Sequence, residues 1–176
     1  MDMSHFVLLC IKLELWDLVI NSKDGCRHIS YKVMLVYENN IMITIGIEGT
    51  AHSVGIGIVE NQNSYCKVLS NEIKTYMPEK GGIHPREAAN HHVTYIADLI
   101  VQALEHAKLS SEDIDLVSFS QGPGLGPCLR TAATAARALS LWIEKPIIGV
   151  NHCVAHLEIG RGMIPECTDP VLLYTS

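Results

Sequence analysis

The chain has 176 residues and a formal net charge of −6, with 48% hydrophobic and 18% charged residues. This length suits one ordinary domain, and the composition can supply a buried core, so the chain is not of the disordered class. The acidic balance excludes a protein that coats nucleic acid by bulk charge, although it remains compatible with a local basic site.

Residues 1–41 differ from the rest of the chain, and we treat them as an N-terminal extension of uncertain origin. Their apolar stretch, Phe6 to Ile20, contains three charged residues and is shorter than the roughly 20 apolar residues of a spanning helix. It also lacks the basic leader of a signal peptide. None of the six cysteines belongs to a CxxC pair, a pattern that fits a reducing compartment. We therefore predict a cytoplasmic protein with no membrane partner.

A regular pattern begins at Met42. Residues 43–47 and 54–59 are β-rich runs separated by the turn Glu48-Gly49-Thr50, and a third run covers residues 67–76. Neighbouring strands joined by short turns are typical of an antiparallel meander. The sequence therefore predicts three consecutive antiparallel strands.

Helical periodicity follows the meander. Pro85 can occupy a first helical turn, and apolar residues then recur at three- or four-residue spacing to about Ala107. A polar connection over 110–113 leads to a strand over 114–119. Residues 121–127 contain three glycines and two prolines, which predicts an irregular loop. The remaining predicted elements are, in order, a helix over 129–143, a strand over 146–150, a short helix from about residue 151 and a strand over 171–174.

This order of elements predicts the fold class. Strands separated by helices imply parallel pairing through crossover connections. A three-strand meander followed by βαβ crossovers is the topology of an actin-like, ribonuclease-H-like half-domain. We therefore predict an α/β fold of that class.

The strongest candidate for chemistry is the run from Asn151 to His156, NHCVAH. Histidines at i and i+4, here His152 and His156, lie on one helical face and can point a ring nitrogen at one ion. Two structural histidines explain the spacing equally well, but the position after an apolar strand favours a ligand site. Imidazole suits zinc or iron, and two ligands require others. Zinc proteases of the HExxH class have a glutamate where this chain has Cys153, which argues against that class.

Three other features leave alternatives open. The loop from Ser120 to Pro127 either packs the next helix tightly onto the sheet, which we prefer, or forms an anion cradle at the helix N-terminus. Glu48 either positions a metal or water, or caps the turn. His91 and His92 diverge by about 100° on a helix, so we expect a partly exposed helix face rather than a shared ion. We interpret four scattered cations as ordinary surface: Arg86, Arg130, Arg137 and Lys145.

Four motifs occur in order along the chain: GIEGTA over 46–51, PREAA over 85–89 with His91-His92, SQGPGLGPCLR over 120–130 and GVNHCVAH over 149–156. Together they resemble the TsaD family, and the similarity is closest to its archaeal and eukaryotic branch, the catalytic subunit of the KEOPS complex. The resemblance runs from about Met42 to Ser176 and implies an actin-like ATPase fold. It makes residues 42–176 an N-terminal subdomain that is truncated at the start of the second subdomain.

The resemblance implies an activity. The family transfers a threonylcarbamoyl group from threonylcarbamoyl-adenylate to N6 of the adenosine beside the anticodon of tRNA. By this resemblance, His152, His156 and Tyr174 are ligands of one divalent metal ion, iron or zinc. Tyr174, Thr175 and Ser176 match the start of a loop that contacts the substrate.

The resemblance also implies partners and a limit. The expected partners are tRNA, threonylcarbamoyl-adenylate, and the kinase subunit and small dimerising subunit of KEOPS. The helices over 86–107 and 129–143 resemble the face that docks the small subunit. The family's second half, with the carboxylate that completes its metal site, does not follow Ser176, so we expect this chain to be inactive alone. The alternatives are a non-catalytic docking module of the complex and, against the evidence of Cys153, a metallo-endopeptidase.

Overall fold

The computed structural model describes residues 41–62 and 65–163. The predictions for residues 1–40 and for the strand over 171–174 lie outside the described residues, and the division into two domains stays a prediction. The elements are β1 (Met42–Glu48), β2 (Ser53–Gln62), β3 (Tyr65–Thr75), α1 (Pro85–Ala107), a short 3₁₀ helix (Ser111–Asp113), β4 (Leu116–Gly122), α2 (Gly126–Ile143), β5 (Ile147–Asn151) and α3 (His152–Met163).

The described strands form one five-stranded sheet in the order β3-β2-β1-β4-β5. The β1–β2 and β2–β3 pairs are antiparallel, whereas β1–β4 and β4–β5 are parallel. The predicted meander followed by parallel crossovers is therefore confirmed. Parallel pairing brings the carboxyl ends of β1, β4 and β5 to the same edge of the sheet, where α/β folds present ligand sites.

The core lies between the sheet and the helices α1 and α2. Ile45 and Ile47 of β1 alternate along the strand, are fully buried, and share one apolar cluster with Leu99 of α1. Ala132 and Ala136 of α2 are also fully buried in that cluster. Their small side chains allow the α2 backbone to lie close to the sheet.

Two predicted boundaries around the glycine-rich loop were wrong. Strand β4 begins at Leu116 and extends to Gly122, because its last residues pair with the end of β5. Helix α2 begins at Gly126 rather than at 129, since Pro127 has no backbone N–H that a first helical turn would leave unpaired. The irregular segment is therefore only Pro123–Leu125, which fixes the distance between sheet and helix.

Helix hydropathy and cysteine pairing bear on two general predictions. Within the described ranges, no helix is long and apolar enough to cross a membrane. Cys128 carries a free thiol, whereas Cys66 is disulfide-bonded. The expectation of a reducing compartment is therefore not supported by Cys66, and it stays a prediction.

Candidate functional site

Asn151 connects β5 to α3 and caps the helix. The backbone N–H groups of Cys153 and Val154 donate to Asn151 Oδ1, at 3.0 and 3.2 Å. An asparagine oxygen at this position satisfies donors that a helix start leaves free. The cap therefore starts α3 at His152 and presents that side chain at the carboxyl edge of the sheet.

His152 and His156 lie on the same face of α3, as their spacing predicts. Their ring centroids are 4.5 Å apart, and their Nε2 atoms approach to 3.2 Å. Two nitrogens at that separation, each about 2.0–2.1 Å from one ion, subtend an angle of about 100°, which lies within the range of zinc sites. The pair therefore fits two ligands of one metal ion.

Glu48, at the end of β1, lies beside this pair and joins it to the β1–β2 turn. Its Oε1 accepts hydrogen bonds from the backbone N–H and the hydroxyl of Thr50, at 2.8 and 2.5 Å. Its Oε2 accepts a hydrogen bond from the Ser120 hydroxyl and lies 3.4 Å from His152 Nδ1. Glu48 therefore caps the turn, and the same carboxylate contacts His152. The alternative that it positions a metal or water stays a prediction.

The contact with Glu48 is made by the His152 nitrogen that faces away from His156. A carboxylate on that nitrogen fixes the tautomer and orientation of a metal-binding imidazole. The arrangement leaves His152 Nε2 available on the side of His156 Nε2. We refer to Glu48, Thr50, Ser120, His152 and His156 as the turn site.

Electrostatics at the turn site favour an ionised carboxylate. Burial raises the pKa of Glu48, but hydrogen bonds from His152, Ser120 and Thr50 together lower it below its ordinary value. The hydrogen bond to Glu48 raises the pKa of His152, against the opposing effect of burial. Burial, followed by the nearby charge of His152, lowers the pKa of His156. The two imidazoles are therefore not equivalent, because Glu48 forms a hydrogen bond with His152 and acts on His156 only through its charge.

Thr50 and Ser120 are members of the turn site that the sequence analysis did not single out. Thr50 Oγ1 also lies 3.5 Å from His152 Nε2. In the parallel β1–β4 pair, Ile47 is opposite Phe119, so the next residues along each strand are Glu48 and Ser120. Strand alternation in both predicted strands was the available signal, but it required the register between them.

The glycine-rich loop packs against the same turn. The N–H of Leu125 donates to the carbonyl of Thr50 at 2.6 Å, and a Cβ on Gly124 would lie only 2.5 Å from that oxygen. Gly124 is therefore required for close approach of two backbones. This contact supports the preferred interpretation, a tight connection between sheet and helix.

The ligand set of a metal ion is incomplete in this part of the chain. Across residues 41–62 and 65–163, no group of three or more His, Cys, Asp or Glu side chains is arranged to hold an ion. The third predicted ligand, Tyr174, and the predicted substrate contacts Thr175 and Ser176 lie outside the described residues. The assignment of these residues to a metal or substrate stays a prediction.

The prediction that His91 and His92 lie on a partly exposed helix face was wrong for His92. His92 is fully buried, whereas His91 is half-buried, with its ring centroid 4.7 Å from that of Tyr95. The reason is tertiary: the β1–β2 turn packs on α1 at Gly49, where a Cβ would lie 3.2 Å from His92 Cδ2. Helical periodicity cannot reveal that second packing surface.

The four cations have three different surroundings. Arg137 lies over the ring of Phe119, with its guanidinium carbon 5.7 Å from the ring centroid, and Lys145 Nζ lies 3.9 Å from Asp115. Arg86 and Arg130 line one groove between the two long helices. This α1–α2 groove has a volume of about 650 Å³ and is lined by Arg86, Ala89, Asn90, Val93, Ile96, Pro127, Arg130, Thr131, Thr134, Ala135 and Ala138.

The helices beside the groove also expose large apolar side chains. Val93 of α1 is 65% exposed, and Leu141 and Trp142, near the end of α2, are 80% and 71% exposed. Exposed apolar side chains of this size are typical of surfaces that associate with another protein.

Comparison with known proteins places these features in a family. The model of the family TsaD, tRNA N6-adenosine threonylcarbamoyltransferase, matches residues 67–176. A relative of that name from Thermococcus kodakarensis is 56% identical over 135 residues, which cover 77% of this chain and 40% of the relative. A probable bifunctional tRNA threonylcarbamoyladenosine biosynthesis protein from Methanothermobacter thermautotrophicus is 54% identical over 135 residues, 24% of its own length.

A solved structure supports the fold. YeaZ from Pseudomonas aeruginosa matches with a TM-score of 0.52 and 11% identity, over 69% of this chain and 49% of that one. At that identity the likeness shows only the actin-like, ribonuclease-H-like fold, as predicted. The family match is stronger, because it covers more than half of the chain and contains α3 with both histidines. The chain belongs to the TsaD family.

Proposed function

We propose that this chain acts in tRNA threonylcarbamoyladenosine biosynthesis, as the first part of a tRNA N6-adenosine threonylcarbamoyltransferase. The observation that carries the proposal is the convergence of His152 Nε2 and His156 Nε2 at 3.2 Å, inside the region that the family model matches. The chain spans about 40% of the length of the threonylcarbamoyltransferases that it matches. The remaining catalytic groups would therefore come from the part of those relatives that the match does not cover.

In the proposed reaction, N6 of adenosine attacks the carbamoyl carbon of threonylcarbamoyl-adenylate, and AMP leaves. His152 and His156 would hold one divalent iron or zinc ion, and Tyr174 would complete this chain's share of the ligands. Such an ion supplies Lewis acidity for the carbamoyl oxygen. Glu48 keeps the His152 proton on Nδ1, so that Nε2 has a free lone pair, and Thr50 and Ser120 hold Glu48 in place.

The metal assignment is tested in a chimera that carries residues 42–176 of this chain in the Thermococcus kodakarensis relative. Elemental analysis should find one iron or zinc ion per chimera. His152→Ala or His156→Ala should remove it, since neither variant keeps the converging pair. The matched control is His106→Ala, an exposed histidine on α1, which should keep the metal. Stoichiometric metal in His152→Ala would overturn the assignment.

The activity is tested in the same chimera with synthetic threonylcarbamoyl-adenylate and tRNA. We expect modified tRNA from the chimera and none from the 176-residue chain alone. A chimera that folds and binds metal but does not modify tRNA would contradict the proposal. Modification by the chain alone, at the rate of the chimera, would contradict its assignment as a part.

The α1–α2 groove supports a second element of the proposal, docking of the small dimerising subunit of KEOPS. The groove is apolar along Val93 and Ile96 and has Arg86 and Arg130 in its lining. Helices of a partner can pack into such a surface through apolar anchors. The kinase subunit and the cytoplasmic location belong to the same proposal, and they rest on the family resemblance.

The two alternative functions fit the geometry less well. An endopeptidase of the HExxH class needs a carboxylate on the metal side of the histidine pair. Here Cys153 takes the glutamate position, and Glu48 contacts His152 Nδ1, on the opposite side of the ring from Nε2. A pure docking module would not need the converging histidines. A chimera without bound metal that still binds the small subunit would favour it.

A further inference from the structure

We propose that His92 of α1 is a positioning residue, which holds the β1–β2 turn so that Glu48 and Thr50 face His152. The inference rests on the function proposed for the turn site. His92 does not touch the candidate ligands, and it would act through the turn.

The first argument is the contact beneath the turn. His92 is fully buried, and its Cδ2 would lie 3.2 Å from a Cβ built on Gly49. The Cβ of Ala132 would lie 2.9 Å from that same Cβ built on Gly49. Because Gly49 has no side chain, the imidazole and the α2 methyl group lie directly against the backbone of the turn.

The second argument is the contact on the other side. A Cβ on Gly124 would lie 2.5 Å from the carbonyl oxygen of Thr50, and that oxygen accepts the N–H of Leu125. The turn is thus held between helices α1 and α2 on one side and the glycine-rich loop on the other. A packed interior transmits a change of shape at one such support to the residues that rest on it.

The third argument is the chemistry of the ring. Neither nitrogen of His92 has a hydrogen-bond partner among the described residues, although the Ala51 backbone raises the pKa of the ring against the lowering caused by burial. A buried polar group without a full partner is costly, so a hydrocarbon side chain would serve better if α1 needed only packing here. The interaction that a hydrocarbon cannot replace is the one with the Ala51 backbone.

Amide hydrogen exchange tests the proposal in the 176-residue chain, without metal or substrate. The reporting amides are Thr50, which donates to Glu48, and Leu125, which donates to Thr50. Their exchange rates are divided by that of Val117, whose amide is bonded in the sheet region away from the turn. In His92→Leu, which retains most of the volume, we expect this ratio to rise at least tenfold.

A matched control separates positioning from loss of stability. Leu99→Ala removes a buried side chain from the same helix, away from the turn, and lowers global stability. Because that loss also speeds exchange of the Val117 amide, Leu99→Ala should not raise the ratio. His92→Gln keeps a polar group towards Ala51 and should return the ratio towards that of the unmodified chain. An unchanged ratio in His92→Leu, or an equal rise in Leu99→Ala, would overturn the proposal.

Metal binding by the chimera shows whether this inference or the proposed function fails. In the chimera, His92→Leu should weaken Co²⁺ binding about tenfold, while Leu99→Ala should not. If the unmodified chimera binds no metal, the proposed function fails. The exchange ratios would then still decide whether His92 positions the turn.

Discussion

Helix α1 packs against the β1–β2 turn of the turn site through His92 and lines the α1–α2 groove through residues on a neighbouring face. His92 is fully buried towards the turn, whereas the next residue, Val93, is 65% exposed and lines the groove. The turn site consists of polar groups that bond to one another across β1, β4 and α3. The groove consists mainly of apolar and small side chains that have no equivalent bonds.

Because of this difference, substitutions in the two regions should have different effects. At the turn site, backbones approach closely and polar groups are buried, so substitutions should alter folding stability and local geometry. At the groove, Val93 is largely exposed, so substitutions of such outward-facing side chains should alter association with a partner and leave stability almost unchanged. Four predictions test this comparison, from the largest effect on stability to the smallest.

Gly124→Ala should have the largest effect, because the new Cβ would meet the Thr50 carbonyl oxygen at 2.5 Å. Overpacking against a backbone that cannot move freely should lower the free energy of unfolding by about 3 kcal/mol. Urea denaturation measures the loss. The control, Gly126→Ala, lies two residues away with no atom within 4 Å of its Cβ, and should change stability by less than about 0.5 kcal/mol. Equal losses of stability in the two variants would contradict the close packing of the glycine-rich loop on the β1–β2 turn.

His92 should make stability fall as the pH falls. Burial lowers the pKa of His92 to about 4, with His91 and His52 reinforcing the effect and Glu48 opposing it. The unfolded chain therefore binds a proton that the folded chain does not, so His92 destabilises the fold increasingly below its ordinary pKa of 6.5. Between about pH 7 and about pH 5 the loss should be about 2 kcal/mol.

The variant His92→Leu should remove that dependence, and unfolding by urea at several pH values measures it. The prediction concerns the slope of stability against pH, which is separate from any constant cost of the substitution. Identical slopes in the variant and the unmodified chain would contradict it.

His106, near the other end of α1, should give a smaller effect of opposite sign. Its Nδ1 lies 2.6 Å from Glu72 Oε1, and this hydrogen bond raises the pKa of His106. The stabilisation is therefore complete below the ordinary pKa and is lost as the pH rises through the raised pKa. His106→Gln should lower the melting temperature slightly at about pH 6 and not at about pH 9. A larger difference at the higher pH would contradict the sign.

Val93→Ser should have the smallest effect on stability, within about 0.5 kcal/mol, because this side chain of the groove lining is 65% exposed. It should nevertheless weaken binding of the small KEOPS subunit at least tenfold, measured by calorimetry with the chimera. Met77→Ser, at a position 82% exposed in the loop before α1, is the matched control and should bind normally. Normal binding by Val93→Ser would place the docking surface outside the groove.

Much of the fold followed from local patterns. Alternation and turn residues predicted the meander, and the three- and four-residue spacing from Pro85 to Ala107 predicted α1. Element ends were less accurate around the glycine-rich loop, because pairing of β4 with β5 extends the strand to Gly122. The local sequence of β4 could not predict that pairing, since the partner strand β5 comes later in the chain.

The sequence predicted the histidine pair of the candidate site but not the contact of that pair with the β1–β2 turn. The spacing of His152 and His156 sufficed to place them on one helical face, because helix geometry is local. Their contact with the β1–β2 turn was not predictable, since Thr50 and His152 are 102 positions apart in the chain. The same holds for His92, whose burial depends on a turn that packs against α1 from a distant part of the sequence.

The sequence by itself determined the order of the elements, the shared face of the histidine pair, and the motifs that resemble the TsaD family. Each of these depends on residues that are close along the chain. Only the tertiary structure decided that Glu48 bonds both to the turn and to His152, that His92 supports the turn, and that Val93 faces a groove. These outcomes depend on strand register and helix packing, which bring distant residues together and which no local period encodes.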